Sequence, residues 1–277
     1  FFWTTKILFL PMLFVSIIIL IIFYMIDSYY YKKEEFQFEY SINKNNPLIL
    51  EGKINFILLL GVMFFVLLSG IWDSNYRFTL MNVHLYLHNI IRDVSLVILA
   101  FISWKFTNPH IRNQNGFTWF PIQEVSKLFI GIFLTIIPAI AILNAGEHGA
   151  LKDILSMVKD DDGNNLNSAY FWITGVLSAF LDNAPTYLVF FNLAGASTPE
   201  GMDIAKYLMY EIPATLLAIS LGAVFMGAMS YIGNAPNFMV KSIAEENKVR
   251  MPSFFGYILW SFIILVPIFM LVNIIFI

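Results

Sequence analysis

The chain has 277 residues, of which 58% are hydrophobic, 13% are charged and none is cysteine, with a formal net charge of -3. Soluble domains carry about 45–50% apolar and about 25% charged residues, and their interiors cannot take up this much apolar side chain. The composition also excludes disulfide, thiolate and cysteine-ligated metal chemistry, and no basic run with interleaved aromatics offers a nucleic-acid surface.

The sequence opens at Phe1 with no initiator Met and no basic stretch ahead of a short apolar run. It reads as a protein entered just before a membrane span, not as a signal peptide. Crossing the hydrocarbon takes about 20 mainly apolar residues. On that basis the first span is expected at 7–26, with Pro11 near its start. Residues 27–53 are polar and mixed in charge (Lys32, Lys33, Glu34, Glu35, Glu39) and form a connector, with a short hairpin expected in FQFEYSI. Spans follow at 54–71, 90–104 and 125–144, the last containing Pro138. Between the first two of these, 72–89 holds Asp73, Arg77 and several aromatics, which suits the membrane interface. His84 and His88 have a helical i, i+4 spacing, but two interfacial histidines explain them better than a zinc site does.

The second half is interrupted differently. Residues 168–194 are apolar at both ends and broken in the middle by Asp182-Asn183-Ala184-Pro185-Thr186. Each arm is too short to cross alone, and an unbroken helix would bury Asp182 at mid-membrane and lose hydrogen bonds around Pro185. A re-entrant helical hairpin resolves both problems. Residues 205–229 are apolar, then SYIGNAPN interrupts and a short helix continues to 246, the pattern of a discontinuous membrane helix. A final span is expected at 254–277.

Orientation follows from the basic residues near span ends. Lys105, Arg112 and Lys127 mark one loop, and Lys241, Lys248 and Arg250 mark another. With a hairpin that enters and leaves on one side, the crossing count puts both loops on the same face, read as cytoplasmic together with the 27–53 connector. The acidic loop 146–167, the hairpin mouth and the C-terminus then lie outside. The expected location is the cell inner membrane, as a multi-pass protein whose first partner is the lipid bilayer.

The two interruptions share a tripeptide, Asn183-Ala184-Pro185 and Asn234-Ala235-Pro236. Broken backbone at membrane depth persists only where protein buries it or where it lines a cavity, and paired breaks point to a transporter binding site. Unwound carbonyls can coordinate Na⁺, while half-helix N-termini present free N–H groups to an anion. Asp182 is the only carboxylate near the hairpin tip, and competition between H⁺ and Na⁺ for it is the simplest exchange mechanism the residues allow. The plainer alternative is that Asp182 merely caps a helix. Glu211 is expected near the interface, Arg92 and Asp93 as an interfacial ion pair, and Lys241 snorkelling to the cytoplasmic face. Gly222, Gly227 and Gly233 permit close helix approach. No Ser/His or Asp/Asp pair at helical spacing and no HExxH motif supports an intramembrane enzyme. The expected activity is therefore transport.

SAFLDNAPTYLVFFNLAG and GAVFMGAMSYIGNAPNFMVKSIAE together resemble the ion-transporter superfamily, in its sodium:proton antiporter and citrate transporter branch. FTWFPIQEVSKLFIGIFLTIIPAIAIL extends the resemblance over 117–246, and Phe1–Pro11 is similar to the stretch after a first-half broken helix. The resemblance implies an all-α polytopic membrane protein with two inverted repeats, each giving a re-entrant hairpin and a discontinuous helix. This chain would be the second half: 1–26 as the last span of the first repeat, 27–53 as connector and 54–277 as the second repeat. Carried onto these positions, the site is Asp182, Asn183 and Thr186 at the tip and Gly233, Asn234, Pro236 and Asn237 in the unwound stretch. Na⁺ is expected at Asp182, Asn183 and Asn234, with Na⁺ and H⁺ as transported or coupling ions and no other cofactor. Dicarboxylate members carry a Ser-Asn-Thr tip, so an acidic tip favours a cation. The reading is sodium/proton antiport, with sodium-coupled citrate or dicarboxylate carriage or an inactive truncated remnant as alternatives. A separately encoded first half and a second copy in a homodimer are the implied protein partners.

Overall fold

The computed structural model describes residues 2–33, 51–72, 74, 76–80, 83–145, 153, 156–160 and 163–277. Two compact units divide the chain, one within 34–118 and one combining 2–33 with 119–277. The first helix, α1 (Phe2–Tyr31), belongs to the larger unit.

The smaller unit begins with α2 (Lys53–Ile71), followed by strands β1 (Arg77–Leu80) and β2 (Val83–Tyr86), then α3 (Leu87–Phe106) and the short α4 (Pro109–Gln114). Helices α2 and α3 pack side by side. Gly61 allows the approach, since a Cβ there would lie 3.3 Å from Leu99. The pair is cross-linked by polar groups: Asn55 Oδ1 accepts from Ser103 Oγ at 3.0 Å and from Thr107 Oγ1 at 2.9 Å. Such bonds join helices where lipid gives no hydrophobic drive to associate. Ile57, Leu60, Val97 and Phe101 face outward, as lipid contact requires. The guanidinium of Arg112 donates to the carbonyls of Trp104 and Thr107, so a cation closes the C-terminal end of α3.

The 72–89 segment, read from the sequence only as interfacial, contains the two strands. β1 and β2 form an antiparallel ribbon with Arg77 opposite Tyr86 and Thr79 opposite His84. His84 is therefore on a strand and His88 on α3, so they share no helical face. The His88 Nδ1 instead accepts the Ser74 N–H at 3.3 Å.

The larger unit continues with α5 (Phe120–Asn144), α6 (Asn167–Leu181), α7 (Asn183–Gly195), α8 (Ile204–Tyr210) and α9 (Pro213–Met226). A 3₁₀ turn (Gly227–Met229), α10 (Ala235–Glu246) and α11 (Phe254–Phe276) complete it. Its core is α9 laid against α6 and α7, with α11 behind. Tyr170, Phe171, Phe190, Ile219, Met226 and Phe269 are fully buried there. Gly222 makes the α6–α9 approach close enough that an added Cβ would strike the Phe171 carbonyl. Helix α1 packs on α11, with the Phe14 and Phe276 rings edge to face at 5.6 Å.

Among the described residues, α1, α2, α3 and α11 are each long and apolar enough to cross a bilayer. The protein is a polytopic helical membrane protein, with one small ribbon among the described residues. The first arm of the broken helix carries a bend of its own. Residues 205–229 do not form a continuous helix, because α8 and the α9–3₁₀ segment meet at 102°. Pro213 is the cause: it has no N–H to continue α8 and instead starts α9 at its first turn. The FQFEYSI hairpin lies outside the described residues, as do Glu147, Asp161 and Asp162 of the acidic loop.

Candidate functional site

The site starts from one residue. Asp182 alone separates α6 from α7, at φ 76° and ψ 150°, backbone angles that side-chain-bearing residues rarely adopt. The reversal folds the two arms against each other, so that the Tyr170 and Phe190 rings lie 6.2 Å apart. A straight helix would separate those residues by about 30 Å. Asp182 also caps the second arm. Its Oδ1 accepts the Asn183 N–H at 2.7 Å, and its carbonyl accepts the Thr186 hydroxyl at 2.8 Å. Pro185 falls in the first turn of α7, where its missing N–H costs no helical bond. Thr186 is fully buried, whereas Asp182 and Asn183 are half-buried. The other Asp182 oxygen, Oδ2, has no hydrogen bond among the described residues.

The broken helix is built from the same kind of parts. After the 3₁₀ turn the chain runs extended at Ser230 and resumes as a helix at Ala235. Asn234 is the N-cap, its Oδ1 accepting the Asn237 N–H at 2.9 Å, and Pro236 occupies the first turn. Inside the break, Ser230 Oγ accepts the N–H groups of Ile232 (3.2 Å) and Gly233 (2.9 Å). The Asn237 Nδ2 donates to the carbonyls of Ala228 and Ser230, both at 3.0 Å.

Hairpin and break are locked together through backbone. Ser230 donates its hydroxyl to the Ala179 carbonyl at 2.5 Å, and Ser178 donates to the Ala223 carbonyl at 2.6 Å. Gly233 lies flat on that contact: a Cβ there would be 2.5 Å from the Gly227 oxygen and 2.9 Å from the Ala179 oxygen. Gly233, Asn234, Pro236 and Asn237 thus share one segment, and Asp182, Asn183 and Thr186 share the tip. The two groups meet through Ala179, three residues before Asp182. No hydrogen bond joins Asp182 or Asn183 to Asn234 or Asn237 among the described residues. Asn183 instead lines a groove of about 350 Å³ with Ala184, Tyr187, Leu188, Ala223 and Val224.

Sequence reasoning did not single out Ser178, Ser230 or Tyr257, which hold this geometry; only Ser230, at the head of the polar run, carried a signal. Outside the site, Lys241 is paired with Glu245 at 2.6 Å, Arg92 with Asp93 at 2.8 Å, and Glu211 is exposed at the end of α8. Among the described residues no cluster of three or more His, Asp or Glu could hold a metal. The donors present are amides, hydroxyls, carbonyls and one carboxylate, a set suited to a hard monovalent cation or a hydrogen-bonded anion.

A helical hairpin and a discontinuous helix, polar at their breaks and packed together among membrane-spanning helices, define a transporter and not an enzyme. The family described as "Putative citrate transport" matches residues 1–277, the whole length, and the chain belongs to it. No curated protein and no solved structure matches.

Proposed function

We propose that the chain is a secondary active transporter that exchanges sodium for protons at the hairpin tip and broken helix. The observation that carries this reading is a charge inventory. Asp182 is the sole Asp, Glu, Lys or Arg in α6, α7, α9 and the break, and its Oδ2 is not consumed by the cap. A lone carboxylate with neutral oxygens around it takes either a proton or a small cation, so binding of one expels the other. Asp182, Asn183 and Asn234 are the sodium ligands in this reading. Thr186, Gly233 and Pro236 shape the segments that carry them, and Asn237 belongs to the binding site in the unwound stretch. The hairpin is re-entrant, the protein sits in the cell inner membrane with the 105–124 and 247–253 loops cytoplasmic, and an inverted first half completes the transport unit.

A second reading is favoured by the family description: sodium-coupled uptake of citrate or a dicarboxylate. The N-terminal ends of α7 and α10, with the Asn183 and Asn234 amides, would then receive the carboxylates while Na⁺ neutralises Asp182. Uptake of radiolabelled sodium into proteoliposomes under a pH gradient, with Asp182→Asn alongside, tests the first reading. Gradient-driven uptake abolished by the substitution supports exchange. Citrate uptake driven by a sodium gradient, with no proton-driven sodium flux, establishes the second reading instead.

A further inference from the structure

We infer that Tyr257 is a positioning residue of the ion site: it locks the Asn237 amide so that its oxygen, not its nitrogen, is presented to a cation. The inference rests on the sodium reading above and extends it to α11, which no part of that reading uses.

The argument begins with the break's loose carbonyls. The Tyr257 hydroxyl donates to the Ala228 carbonyl at 3.0 Å and lies 3.2 Å from the Asn237 Nδ2. Nδ2 in turn faces the carbonyls of Ala228 and Ser230. Backbone carbonyls accept and cannot donate, and the Tyr257 proton is already directed at Ala228. Every neighbour of that end of the amide is thus an acceptor, so the nitrogen must occupy it. The amide oxygen is left over. The backbone N–H of Asn237 is likewise committed, to Asn234.

The ring of Tyr257 is itself held. It stacks on Tyr231, within the break, at 4.2 Å between centroids and 22° between planes. Tyr231 is buried, and its hydroxyl donates to the Pro252 carbonyl at 3.1 Å, just before α11 starts. The break and the head of α11 therefore fasten each other, and a hydroxyl from α11 joins the Ala228 and Ser230 carbonyls in holding the Asn237 amide in this orientation. Without that hydroxyl the Ala228 carbonyl keeps one donor, the amide gains freedom to rotate, and a cation meets oxygen for only part of the time.

The test is equilibrium binding of radiolabelled Na⁺ to the purified protein. Tyr257→Phe keeps the stacking ring and removes only the hydroxyl. It is expected to raise the half-saturating Na⁺ concentration roughly fivefold, the worth of one ordinary hydrogen bond, with the number of sites unchanged. Asn237→Asp is expected to abolish binding, because it turns an oxygen toward two carbonyls. Ser261→Ala controls for mere anchoring of α11: Ser261 donates to the Met229 carbonyl at 2.7 Å without touching Asn237, and its half-saturation should stay at the wild-type value. Wild-type half-saturation in Tyr257→Phe, full binding in Asn237→Asp, or an equal shift in Ser261→Ala would each overturn the inference. If the wild-type protein binds no Na⁺ at all, the sodium reading itself fails, an outcome distinct from those three.

Discussion

Ser230 donates its hydroxyl to the backbone carbonyl of Ala179, joining the break in one helix to the last turn before the hairpin tip. The same oxygen accepts the N–H groups of Ile232 and Gly233, so one buried side chain serves three backbone groups. A buried polar group left unpaired costs about 1–3 kcal/mol. Ser230→Ala is therefore expected to lower stability by about that amount, read as a drop in the thermal midpoint of the detergent-solubilised protein. A midpoint equal to wild type would mean that the link carries no weight.

Gly233 should be less forgiving still. A methyl group there meets the backbone oxygens of Gly227, Ala179 and Ser178, at 2.5, 2.9 and 3.1 Å. None of these can rotate away as a side chain would, so hairpin and break must separate. Gly233→Ala is expected to cost about 3 kcal/mol or to prevent folding. Gly131→Ala on α5 is the matched control, since no described atom lies within 4 Å of its would-be Cβ. It should be neutral or stabilising by up to about 1 kcal/mol, as expected for Gly to Ala in a helix. Equal stability of the two variants would contradict the close packing.

Much of this architecture was legible before any coordinates. Asp182-Asn183-Ala184-Pro185 and Asn234-Ala235-Pro236 put caps and prolines inside apolar runs, and both segments do start helices there. The bend at 211–212 was hidden because the apolar run resumes directly after Glu211, although Pro213 was the clue. The ribbon of Arg77–Leu80 and Val83–Tyr86 was masked by an aromatic, interfacial composition that suits several conformations. Tyr257 could not be found at all. On the sequence it is one more aromatic in an apolar span, and only the tertiary fold brings its hydroxyl to Ala228. Periodicity and caps mark where helices begin, but the contacts that hold a break in register join residues far apart in the chain.

The cysteine-free sequence makes the membrane course of the hairpin directly testable. Asn164, before α6, and Ser197, after α7, are both exposed. If the hairpin is re-entrant, Asn164→Cys and Ser197→Cys should react with an impermeant maleimide from the same side of oriented vesicles. Labelling from opposite sides would mean that α6 and α7 together cross the bilayer, and the charge-based orientation would have to be redrawn.

If exchange runs through Asp182, that residue couples stability to function in opposite directions. Its φ of 76° with ψ of 150° lies in a region reached almost only by glycine, and holding another residue there costs about 1–3 kcal/mol. Asp182→Gly removes that strain. Its loss as a helix cap is small, because glycine serves as an N-cap at a cost of only a few tenths of a kcal/mol. The expected result is a thermal midpoint about 2–4 °C above wild type, alongside complete loss of proton-driven sodium uptake. Asp182→Asn keeps the strain and should lose uptake without gaining stability. The contrast between the two variants separates the backbone from the carboxylate. A strained tip retained with an acidic side chain is explained if transport needs both the sharp reversal and the charge. If Asp182→Gly were no more stable than Asp182→Asn, the positive φ would be carrying no strain, and the acidic residue would need no functional reason to sit there.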